Sequence, residues 1–260
     1  IATTANLNAI QDIEQSGGSI SATTVNLTAG GAISQSAGSI TATNTTLIAG
    51  QNIVQTGGSV TAINTVATAG ADLSLASNAN KLQNVTVDAQ KGSATIVSGN
   101  DVVGELNVQT VGEVGNNLTI TNVANGEDNE IKVNKNLKAK GDITITNEEA
   151  AINVAQGASM SGASVTLNAT ADDVVVDGGN ITATSGNINL TANNAVTMNN
   201  GSVSATAGNV SMTANDAVTI NNGAISAASG SVNMNAVKNV TINNGKITAN
   251  AVNVTAPELL

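Results

Sequence analysis

The side chains able to do acid–base, nucleophilic or metal chemistry are few. His and Cys are absent. That removes Ser-His-Asp and Cys-His nucleophile systems and zinc sites of the ordinary kind. Arg, Phe, Tyr and Trp are absent too. Two acidic groups stand close in sequence: Asp172, Asp173 and Asp177, and further upstream Glu127, Asp128 and Glu130. The first group suggests glycan cleavage, which needs carboxylates paired across a scissile bond. The second suggests calcium, which takes oxygen ligands.

Neither suggestion survives the spacing. At steps of 22 residues, Asp172 is followed by Asn194, Asp216 and Lys238, so no carboxylate column forms. No Arg or aromatic is present to grip a sugar. The spacings of an EF-hand and of the nonapeptide calcium repeat are both missing, so Asn125–Glu130 reads as a solvated, exposed acidic loop. No P-loop or dinucleotide fingerprint occurs. An ice-binding face of Thr pairs fails as well. Thr182 and Thr184 become Ser204 and Thr206, then Ser226 and Ala228, then Thr248 and Asn250. Eleven Asn-X-Ser/Thr sequons are no excess for so Asn-, Ser- and Thr-rich a chain. The expectation is a protein that is not an enzyme, with no catalytic, cofactor or metal residues.

The elements that would have to position any chemistry are repeats. Over the first quarter the period is twenty residues. Leu7, Leu27 and Leu47 align, as do Ile13, Ile33 and Ile53, and Gln15, Gln35 and Gln55. Gly18, Gly38 and Gly58 follow, then Ile20, Ile40 and Val60. Over the last third the period is 22. Val174, Val196, Val218 and Val240 align, with Gly179, Gly201, Gly223 and Gly245 at a second position. Asn-Asn-Gly recurs at 199–201, 221–223 and 243–245. One late turn loses two residues, so Val252 and Val254 take the parts of Val232 and Met234.

Within each repeat, apolar and polar residues alternate in runs of three to six, as in Val25-Asn26-Leu27-Thr28-Ala29. Period-two alternation marks short half-buried strands. Gly and Asn-Gly mark corners that accept positive φ. About three strands per 20–22 residues describe one turn of an all-β, right-handed parallel β-helix, a solenoid of about twelve turns. Antiparallel hairpins would not repeat equal residues at equal offsets, and propeller blades have longer periods.

Three stretches make up one continuous solenoid. Residues 1–80 hold the regular 20-residue turns and 151–260 the regular 22-residue turns. Residues 81–150 carry longer corners and sixteen of the 26 charged residues. Inward-facing Gln15, Gln35 and Gln55 would form an amide ladder along the axis; at a corner they would face water instead. Asn199, Asn221 and Asn243 leave the same two readings open.

Composition agrees with thin layers. With no aromatics and 41% apolar residues, the core must be built from Val, Ile, Leu, Met and Ala. A charged fraction of 10% is too low for a disordered chain. The net charge of −10 disfavours nucleic acid and anionic membranes. No run of eighteen apolar residues exists to span a bilayer. The start at Ile1, without a charged and then apolar leader, reads as a mature or excised segment.

The segments Ala32-Ile33-Ser34-Gln35-Ser36-Ala37-Gly38-Ser39-Ile40-Thr41-Ala42 and Gln51-Asn52-Ile53-Val54-Gln55-Thr56-Gly57-Gly58-Ser59-Val60-Thr61-Ala62 resemble repeats of the filamentous haemagglutinin family. Those are two-partner-secretion exoproteins of Gram-negative bacteria. The resemblance covers 1–80 and 160–256. It implies a secreted, cell-surface β-helix exported through an outer-membrane partner, with a role in adhesion, biofilm or contact-dependent toxin delivery. The family's amino-terminal secretion domain is not recognisable, and no functional residue carries over. The function expected is a stalk that projects a distal binding or toxin module. Two alternatives stand beside it: a matrix filament built by end-to-end self-association of uncapped turns, and a module that uses 81–150 to bind a host or neighbouring-cell ligand.

Overall fold

A computed structural model describes residues 2–99, 105–123 and 129–259. They form a single parallel sheet of 27 strands coiled into a solenoid of about eleven turns, with no helix among the described residues. Each turn has three faces. In one regular turn these are Val165–Ala169, Val174–Asp177 and Asn180–Ala183.

The first face shows why the repeats must stack. Its leading residue runs unbroken from Ile13 through Ile33, Ile53, Leu73, Ala94 and Leu118. It continues through Ile143, Val165, Ile188, Val210 and Val232 to Val252. A strand this short cannot bury its apolar side alone. Laid over an identical strand about 4.8 Å away, it completes both the hydrogen-bond ladder and an aliphatic column. Each fully buried aliphatic contributes roughly 1.5–3 kcal/mol. The columns join into one continuous core of Val, Ile, Leu, Met and Ala.

Three expectations need correcting. The count is about eleven turns, not about twelve, because the middle turns are long. Ala94 to Leu118 is 24 residues and Leu118 to Ile143 is 25. Two strands of the first quarter are not short. Ile13–Ala29 and Ile33–Ala49 each span 17 residues. Successive turns there have equal length, so their corners pair as well as their faces, with register shifts only around Ser16. The acidic loop is not wholly exposed either. Asn129 is buried and Glu130 half-buried, while Asn125, Gly126, Glu127 and Asp128 lie outside the described residues.

The Asn-Asn-Gly corner uses three residues for three reasons. The middle Asn takes the left-handed conformation, with φ of 55° at Asn200, 52° at Asn222 and 53° at Asn244. Asn tolerates that region better than other side-chain-bearing residues do. One turn before Asn200 the same place is held by Gly178, and before it by Gly157, both at positive φ. The Gly that follows packs against the turn below: a Cβ on Gly223 would lie 2.8 Å from the Met198 Cε. The leading Asn points outward into a ladder.

Candidate functional site

The Gln column forms a ladder inside the rod. Gln35 Nε2 donates to Gln15 Oε1 at 2.9 Å and Gln55 Nε2 donates to Gln35 Oε1 at 2.7 Å. All three Gln are buried. Spare amide protons of Gln15 and Gln35 reach Ser39 and Ser59 carbonyls. Above Gln55 the column turns apolar, through Leu75, Ile96, Ile120, Ile145 and Leu167.

The ladder ends on a residue the repeat pattern did not single out. Asn80 is fully buried. It accepts from Gln55 Nε2 at 2.8 Å and donates to Gln55 Oε1 at 2.7 Å. It also accepts the Val60 N–H at 2.8 Å. Ser98, Asn122 and Asn147 form a second interior column that no fixed period marks in the sequence. Asn122 and Asn147 both donate to the Asn129 carbonyl, at 3.1 and 2.9 Å, and Asn147 also reaches the Ala151 carbonyl. These amides fill in where long corners interrupt the backbone ladder. Once the turns regain equal length, the position reverts to Ala169, Ala192 and Ala214.

The other named columns fall as follows. Asn221 Nδ2 donates to Asn199 Oδ1 at 3.0 Å, and Asn243 Nδ2 to Asn221 Oδ1 at 2.9 Å, on the partly exposed outer surface. Leu27 and Leu47 are buried above each other, with Ala67 next in line. Leu7, in the first turn, is 39% exposed. Ile33 and Ile53 are buried and Ile13 partly so. A further exposed ladder links Asn44, Asn64, Asn84, Asn107 and Asn134 by bonds of 2.9–3.2 Å. Its first three members recur every twenty residues, so periodicity alone could have found it.

The carboxylates serve the corners. Asp12, Asp72 and Asp142 each accept the N–H of the corresponding residue one turn on, at 2.7–3.1 Å. Asn52, Asn117, Asn187 and Asn209 do the same on other turns. In the Asp172 cluster, Asp173 accepts the Ala195 N–H at 2.8 Å and Asp172 accepts from Asn194 Nδ2 at 2.8 Å. Two and three turns on, Asp216 and Lys238 pair with each other at 3.0 Å. Short polar side chains suit this work because a corner exposes backbone N–H groups that the flat faces cannot pair.

One group is electrostatically perturbed against its nature. The Glu130 carboxyl is pushed up, chiefly by burial, with Glu105 and Asp172 adding negative charge. A hydrogen bond from Asn153 and the Lys132 charge oppose this. Lys132 itself is pushed up by its hydrogen bond and ion pair with Glu105 at 3.1 Å. No group of three or more metal-ligating side chains occurs among the described residues.

Comparison with family models, with curated proteins and with solved structures finds no match to this chain.

Proposed function

We propose that this chain is the structural stalk of a secreted, cell-surface exoprotein of the filamentous haemagglutinin kind. One observation carries the reading. The column from Ile13 to Val252 keeps its register through every turn, including the irregular ones. Eleven steps at about 4.8 Å make a rod of roughly 50 Å. A rod that holds one registered core along its length is suited to carrying something at a distance.

The polar chemistry supports a mechanical role. Interior amides bond along the axis, and corner carboxylates bond the next turn's backbone. Neither set is left to act on a substrate, so we read the chain as non-catalytic. The repeats resemble those of exoproteins that leave through an outer-membrane partner, and that resemblance carries the export part of the reading. That partner, and a host or neighbouring-cell ligand for a distal module, belong to the same proposal.

The test is removal of whole turns from the protein displayed by its native host. Deleting residues 188–231, two turns of 22, should leave the remaining fold intact. It should shorten the projection by about 10 Å and leave any activity of the displayed module in place. Loss of that activity with the fold retained would instead place binding within the rod. Labelling intact cells with an antibody to this chain should stain the surface. Staining only after lysis would sink the exported-stalk reading.

A further inference from the structure

Beside the strand Leu106–Thr110, neighbouring turns part on the outside. Lys81–Ala89 matches four residues of the strand Leu106–Thr110, in register from Asn84 to Val87. On its other side, that strand is matched by Ile131–Val133 only through Leu106 and Asn107. Pairing resumes where the Thr110 N–H meets the Asn136 carbonyl at 3.0 Å. The upper chain therefore carries more residues than the Val108–Gln109 stretch beneath it. It takes up the excess as a bulge, with Asn134, Lys135 and Asn136 exposed. Bulges of this kind re-aim side chains.

Under and beside the bulge lie two depressions, of about 180 and 490 Å³, which share Gln109, Asn134 and Lys135. Together they run from Asn84 to Gln156. Those are four successive layers, or about 14 Å along the axis. Half of the lining residues are carboxamides: Asn84, Asn107, Gln109, Asn134, Asn136 and Gln156. Asn134 donates to Asn107 at 3.0 Å and Gln109 to Thr86 at 2.8 Å. Each therefore keeps a carbonyl oxygen and one amide proton for a guest. Lys132 is engaged with Glu105 and Lys138 with Glu113. Lys135 has no such carboxylate partner among the described residues, so a cation lines both depressions in an otherwise acidic protein.

We propose that this groove binds a short acidic oligosaccharide, one bearing sugar carboxylates. A carboxamide offers a donor and an acceptor side by side, which suits vicinal hydroxyls. The Lys135 ammonium, a strong charge-assisted donor, selects a carboxylate. The groove has few apolar residues to hold peptide side chains. With no aromatic surface to stack on, binding is weak and salt-sensitive. Repetition of the chain on a surface would raise it by avidity.

Titration of the 260-residue chain with trigalacturonate, followed by calorimetry and by amide chemical shifts, tests this. Expected is saturable millimolar-range binding that maltotriose does not reproduce, with shifts centred on Gln109, Asn134 and Lys135. Lys135→Gln should weaken it roughly tenfold, the loss of one charge-assisted hydrogen bond. Lys246→Gln, on the last turn, should leave it unchanged. Circular dichroism of both variants separates lost binding from lost fold. No saturable binding overturns the proposal. So does equal binding of a tetraglutamate peptide, or equal weakening by both substitutions, since either reduces the effect to bulk charge.

Discussion

Gln55 and Asn80 exchange two hydrogen bonds inside the rod, each donating its side-chain amide to the other's carbonyl at 2.8 and 2.7 Å. The pair closes the Gln ladder at the point where the column becomes Leu75. Asn80→Leu would strand the Val60 N–H and one amide proton of Gln55, whose Nε2 keeps its bond to Gln35. A loss of about 2–4 kcal/mol is expected from two or more stranded polar groups. Urea unfolding should show it as a lower midpoint with an unchanged slope.

Among the described residues, the buried polar atoms without a hydrogen-bond partner include two threonine hydroxyls. The hydroxyls of Thr45 and Thr65 sit in the core, stacked in the column of Val25 and Val85. Thr45→Val and Thr65→Val should each stabilise the rod by about 1 kcal/mol, by removing an unpaid desolvation cost at nearly constant shape. The two sites touch, so the double variant need not equal the sum. Thermal denaturation checks it; a fall in Tm for either single variant would contradict the account.

Corner substitutions should separate conformation from space. Asn222→Gly keeps the left-handed corner and should change stability by a few tenths of a kcal/mol, whereas Asn222→Val should cost about 1–2 kcal/mol. Gly50→Ala should cost more, about 3 kcal/mol. Its Cβ would lie 2.2 Å from the Gly30 carbonyl oxygen, a backbone atom fixed by the turn below. Denaturant midpoints of the three variants should fall in that order.

Stability should depend on pH through Glu130 and Lys132. The Glu130 carboxyl is raised in the folded state, chiefly by burial. The folded chain therefore binds this proton more tightly than the unfolded chain. Stability from this group is greatest below its ordinary value of 4.5 and falls as pH rises through the raised value. Lys132 is raised by Glu105 from 10.5. Its contribution is complete below that pH and is lost above it. Glu130→Gln should raise Tm at pH 7 and flatten the Tm profile between pH 4 and 7. An unchanged profile would show that Glu130 is not strained in the native state.

Much of the rod is written in equal offsets. Ile13, Ile33 and Ile53 occupy one column because identical short strands can bury their apolar sides only against copies of themselves. The same logic placed Gln35 on Gln15, and Asn221 on Asn199. It also located the two-residue loss that lays Val252 on Val232. Periodicity could not reach the turns of 24 and 25 residues, because no offset carries over from one to the next.

The sequence by itself therefore determined the solenoid, its three-faced turn and its regular columns, because every repeat states the same packing requirement in the same place. Only the tertiary structure decided where turns of unequal length meet. There Asn80, Asn122 and Asn147 supply hydrogen bonds that the backbone cannot, and the chain above Val108 and Gln109 parts from its neighbour. Such partners are chosen by which atoms are left over after the layers stack, and that remainder is a property of two turns together, written in neither alone.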